Sequence, residues 1–226
     1  MTKRKLSVAA SLAAVLAPSG AALALAGGPK IEYTARDQAA ARSEVVHRAD
    51  LQPPRDWRGY FQKPSKDELH PNVCSDFHPV VSDLVVTGAE TSTWTSRSNQ
   101  LSVVSSKAVV FRTAHMARLN WRRTMEPPEA APCIASAMAQ GLGATLVGKL
   151  TSFKSIAIPR IAPRTAAFRA VYELESKPTK IPLIFYTVYA SRGRSQLWLA
   201  IDGVDGSVSL NSAVRLARTA VGRMRA

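Results

Sequence analysis

The chain has only two cysteines, Cys74 and Cys133, and four histidines, His47, His70, His78 and His115, scattered along its 226 residues. It has no G-x-S-x-G elbow, no H-E-x-x-H pair, no phosphate loop and no dinucleotide fingerprint, which removes the familiar signatures of hydrolases, zinc proteases and nucleotide enzymes. "DGVDGS", with Asp202 and Asp205, is too short for an EF-hand loop and reads as a turn. "GLGATLVGK" lacks phosphate-loop spacing. Neither an internal repeat nor a low-complexity tract occurs. Acidic residues are few, 16 against 30 lysines and arginines. No catalytic residue, metal site or cofactor is therefore expected, and the chain is not expected to be an enzyme.

One long apolar run exists, and it lies at the start. Lys3, Arg4 and Lys5 precede Leu6 to Ala26, and the run ends in Ala24-Leu25-Ala26. A basic stretch, an apolar stretch and small residues at a cut make an export signal over 1–26. The alternative is an uncleaved anchor, since the run is long enough to span a bilayer; Pro18 and Gly20 interrupt it. No cysteine lies near the cut for a lipid anchor. The remainder is expected to be soluble and extracytoplasmic, associated with the cell envelope. Its length suits a flexible or short helical segment over 27–50 and a single domain over 51–226.

Export bears on "DELHPNVCSDFHPVV", where His70 and His78 flank Cys74. Pro71 and Pro79 push the residues before them, the two histidines, away from helical geometry. The three side chains therefore do not share a helix face as a metal set. In an oxidising compartment a lone cysteine pair joins, so a Cys74–Cys133 disulfide is expected.

Residues 51–80 are rich in proline and read as an extended lead-in. "SDLVVTGAETSTWTS" and "LSVVSS" read as strands, with Gly88 marking a bulge. Val110, Ala114, Ala117 and Trp121 fall on one helical stripe, capped by Ser105 or Ser106 and ended by Pro127-Pro128. "EAAPCIASAMAQGLG" reads as a second helix. "FKSIAIP", "RTAAFRAVYELES", "IPLIFYTVYAS" and "SQLWLAID" read as strands, the last two joined by a tight turn at Arg192-Gly193-Arg194. Leu210, Val214, Ala217, Val221 and Met224 stripe a final helix capped by Ser209 or Asn211. This order predicts an α+β fold: an antiparallel sheet of about 4–6 strands, helices packed on one face, one disulfide.

The export signal, Cys74 ahead of "DLVVTGAETSTW", "FRTAHMARLNWRRTMEP", Cys133 opening a helix, and the closing hairpin with its terminal helix resemble a known layout. It is that of small exported actinobacterial proteins related to the extracellular sensor domain of PknH-type membrane serine/threonine kinases. The resemblance covers residues 45–226. It implies an α+β fold with a cleft and a ligand-binding, sensor-like role without chemistry. The kinase sensor domain carries two disulfides where this chain can make one. No kinase domain lies within this sequence, so a binding role would be free-standing.

The positive signal is charge. The formal net charge is +14, or about +11 once Lys3, Arg4 and Lys5 are removed. Such a surface attracts anionic ligands, membranes and polymers. Arg112, His115, Arg118 and Arg122 occupy one side of the first expected helix and form the candidate ligand-binding site, with Arg192 and Arg194 adding to a basic rim. Three functions compete. The first is a secreted sensor-like domain for a small or anionic ligand. The second is a basic cell-envelope protein making peripheral contact with anionic lipid or cell-wall polymer. The third is a hydrolase without a familiar motif. Nucleic acid is not an expected partner, and the protein is expected to be a monomer.

Overall fold

β-branched and aromatic residues make up more than half of 85–96, 103–111 and 179–192, and eight strands form among the described residues where 4–6 were expected. A computed structural model describes residues 27–99, 101–176 and 179–225; the export signal expected over 1–26 lies outside the described residues. In chain order the elements are β1 (Lys30–Ile31), α1 (Ala35–Glu44), β2 (Trp57–Gln62), β3 (Val85–Ser96), β4 (Val103–Phe111), α2 (Ala114–Thr124), α3 (Ala130–Gly143), β5 (Gly148–Ser155), β6 (Arg164–Ser176), β7 (Thr179–Arg192), β8 (Ser195–Val204) and α4 (Leu210–Gly222). One mixed, mostly antiparallel sheet runs β1-β3-β4-β8-β7-β6-β5, with β2 beside β1 on the same edge of β3. The extra strands are β1, which pairs parallel with β3, and β2, drawn from the proline-rich lead-in. No helix among the described residues is long and apolar enough to cross a membrane.

Helices cover both faces, not one. Successive strand residues point to opposite sides, and the core divides accordingly. Val104, Ala108, Val188, Leu197 and Leu199 meet α1 and α4. Val103, Phe111, Ala170 and Phe185 meet α2 and α3. The central strands β7 and β8 are buried on both sides, which is why they read as continuous apolar runs.

The helix expected to begin at Ser105 or Ser106 begins instead at Ala114. Val103, Val104, Val109, Val110 and Phe111 suit a strand, and β4 pairs with β3 and β8 along its length. Thr113 is the true cap: its hydroxyl accepts the Met116 N–H at 3.1 Å. Ser106 instead serves the core, accepting the Val46 N–H at 2.8 Å. The strand expected at 153–159 is shifted to β5.

The β7–β8 turn is formed by Gly193 and Arg194, with Gly193 at φ 56°, a conformation that suits glycine. Gly88 sits at the expected bulge. A Cβ there would stand 2.2 Å from the Asp37 carbonyl oxygen, so glycine lets α1 lie against β3.

Residues 27–50 contribute β1 and α1 to this architecture. α1 docks largely through polar side chains. Gln38 donates to the Ala89 carbonyl (2.7 Å) and accepts the Ala89 N–H (3.2 Å). Arg42 pairs with Glu90 at 2.7 Å. Asp37 pairs with Arg194, which also donates to the Phe111 carbonyl at 2.8 Å.

Candidate functional site

Between the sheet and the α2–α3 layer lies a cavity of about 220 Å³. Its floor is the side of the sheet carrying Lys107 and Val109 of β4, Gln196 and Trp198 of β8, Thr187 and Tyr189 of β7, and Phe153 of β5. α2 supplies Asn120, Trp121 and Thr124, α3 supplies Ile134 and Met138, and the lead-in supplies residues 69–72 and Phe77.

Each part is held from below. Ala117 and Trp121, one helical turn apart, are buried and set α2 on the sheet. Gln196 donates to the Ala117 carbonyl at 2.7 Å and accepts from the Asn120 amide at 2.7 Å, tying α2 to β8. Phe153 stacks on Phe168, which meets Tyr189 edge-on at a centroid distance of 5.9 Å. The expected disulfide is present: Cys74 and Cys133 are bonded, with Cα atoms 5.7 Å apart. It joins the lead-in to α3, two parts of the cavity's roof. Cys74 is thus engaged in sulfur chemistry, while His78 meets the Ser75 carbonyl at 3.0 Å and His70 lines the cavity.

The floor has a polar row. Lys107 pairs across strands with Trp198, and Trp198 with Tyr189. The Lys107 ammonium donates to the Glu68 carbonyl at 2.6 Å. Desolvation lowers its pKa to about 8, opposed by the nearby Glu68 charge. Desolvation also raises the Tyr189 phenol, partly offset by the adjacent Trp198 indole. Among the described residues that line the cavity, Lys107 is the only lysine, arginine, aspartate or glutamate.

The residues expected to bind ligand lie elsewhere. Arg112, in the turn before α2, pairs with Glu32. His115, Arg118 and Arg122 are exposed on the outward side of α2, while its inward side lines the cavity. Arg194 is half-buried in its contacts with Asp37 and Phe111. Lys107 belongs to no motif in the sequence. Its signal was a lone lysine in "VVSSKAVVF", two residues from Val109 and so on the same side of the strand.

No protein-family model and no curated protein matches this sequence. Among solved structures, the extracellular domain of PknH from Mycobacterium tuberculosis is similar, with a TM-score of 0.48 and 11% identity over 82% of this chain and 94% of that one.

Proposed function

We propose that the chain is an extracytoplasmic, non-enzymatic binding module that holds a small, mainly apolar ligand between its sheet and the α2–α3 layer. The observation that carries this reading is the cavity itself: concave, walled by aromatic and aliphatic side chains, and supplied with a few convergent polar groups. The disulfide supports a location outside the reducing cytosol. Trp121 and Trp198 line the space, so 1-octanol entering it should change the intrinsic fluorescence. Ala137→Phe, on the α3 wall, should fill the space and weaken that response at least tenfold while the circular dichroism spectrum stays the same. An unaltered octanol titration in Ala137→Phe would place binding elsewhere.

A second reading is favoured by the outward side of α2. His115, Arg118 and Arg122 are exposed there and make no ion pair among the described residues. Such a face suits an anionic lipid surface at low salt. Arg118→Glu with Arg122→Glu should then reduce sedimentation with phosphatidylglycerol vesicles several-fold. Equal sedimentation of both chains removes this reading.

A further inference from the structure

We propose that the ligand of this cavity is a single-headed anionic amphiphile, whose carboxylate lies over the Lys107–Trp198–Tyr189 row and whose hydrocarbon body lies against α2 and α3. This rests on the reading of the cavity as a binding site, and it names the chemistry that the cavity selects.

The polar row carries more donors than acceptors. The Lys107 ammonium has three N–H groups, and the Trp198 indole N–H is directed at the Tyr189 oxygen, which leaves the phenol O–H and two ammonium N–H groups as donors. The three stand side by side on β4, β8 and β7, facing one space. Among the described residues the one acceptor for Lys107 is the Glu68 carbonyl, a neutral group. The Glu68 carboxylate is turned to the Ser65 N–H at 2.6 Å. No aspartate or glutamate lines the cavity among the described residues, and no salt bridge to Lys107 occurs among them. The Glu68 charge reaches Lys107 from a residue that does not line the cavity, so the side of this partly desolvated cation that faces the cavity has no counter-charge, a cost that an anionic ligand would relieve. The floor amide is held in place, because Gln196 gives one N–H to the Ala117 carbonyl and accepts from Asn120, and its second N–H is a donor, not a counter-charge. Ile134 and Met138 of α3 and Phe153 of the floor also line the space, and they suit hydrocarbon and offer a charged group nothing.

Hydrogen bonds to a charged group are stronger than neutral ones. Octanoate should therefore bind about tenfold to a hundredfold more tightly than 1-octanol, and 1-octylamine more weakly than either. The preference should also depend on pH. The titratable side chains on elements around Lys107 are Glu68 and His70 of the lead-in and Tyr189 of β7; α2 and α3 turn no titratable group into the cavity. Lys107 loses its charge as pH rises through about 8, whereas the phenol stays protonated well beyond that. Octanoate affinity should fall from pH 7 to pH 9.5 while octanol affinity holds.

The test is calorimetric titration of the full chain with hexanoate, octanoate and decanoate, each beside its alcohol, at both pH values, and octylamine at pH 7. Lys107→Met, which keeps the length of the stem, should equalise acid and alcohol without losing the alcohol. If Lys107→Met does not fold, the pH series on the parent chain decides alone. Equal affinity for acid and alcohol at pH 7, or an acid preference unaltered at pH 9.5, overturns the head-group assignment but leaves the cavity a binding site. Failure of every acid and alcohol to bind overturns the binding reading itself.

Discussion

The chain carrying Cys74→Ser and Cys133→Ser should melt roughly 10 °C below the parent, a loss of about 4 kcal/mol in the chain-entropy account of a disulfide. The two cysteines are 59 residues apart, so the bond removes a large loop from the unfolded ensemble. The loss has a local component as well. Cys133 is buried, and Cys74, Phe77 and Ala130 pack around it. Serine at position 133 would bury a hydroxyl in that cluster. Mild reduction of the parent chain separates the two contributions, because it opens the bond without placing serine. The affected region is specific: the bond joins the lead-in to α3, and both line the cavity. Octanol or octanoate binding should therefore weaken on reduction even at temperatures where the sheet persists. A reduced and fully alkylated chain that melts with the parent would mean that the bond stabilises nothing.

Glu44 should make the fold less stable as pH rises, an uncommon direction for a carboxylate. It closes α1, is 1% exposed, and has one oxygen without a partner; the other accepts the Ser195 hydroxyl at 3.0 Å. Desolvation raises its pKa to about 7, opposed by Ser195 and by the charges of Arg225 and Arg194. The folded chain therefore keeps a proton that the unfolded chain releases near its ordinary value of 4.5. This stabilisation is complete below the unfolded value and is lost as pH climbs through the folded one. By linkage the loss is about 3 kcal/mol between pH 4.5 and pH 8. Asp202 acts in the same direction, since burial raises its carboxyl well above the usual range. Glu44→Gln isolates the Glu44 share. Urea unfolding at pH 5 and pH 8 should show a flatter pH dependence in Glu44→Gln and a higher midpoint than the parent at pH 8. Parallel curves for the two chains would mean that Glu44 is ionised in the fold throughout.

Both effects concern positions that the sequence exposed unequally. The cysteine pair is readable because an expected compartment and a count of two suffice. Glu44 is not, because "ARDQAAARSE" carries no apolar stripe. α1 holds to β3 and the β7–β8 turn through Gln38, Arg42 and Asp37, contacts spanning 48 to 157 residues. The start of α2 differs from the sequence pattern for a related reason. Val110, Ala114, Ala117 and Trp121 do satisfy a helical period, but Val110 reaches that stripe from a strand. Only pairing with β3 and β8 reveals this.

The sequence by itself determined the α+β class, β6 to β8, α3, α4 and the disulfide partners, because period, capping and cysteine count are properties of neighbouring residues or of the whole inventory. The tertiary structure alone decided that helices lie on both faces of the sheet, that the basic side of α2 points outward, and that the cavity is lined from the lead-in, β4, α2, α3, β7 and β8 together. Strand order causes the difference. β4 lies beside β8, which places Lys107 next to Trp198 although 91 residues separate them in the chain. No local pattern encodes that juxtaposition; it follows from which sheet edge each strand can still pair with once the others are in place.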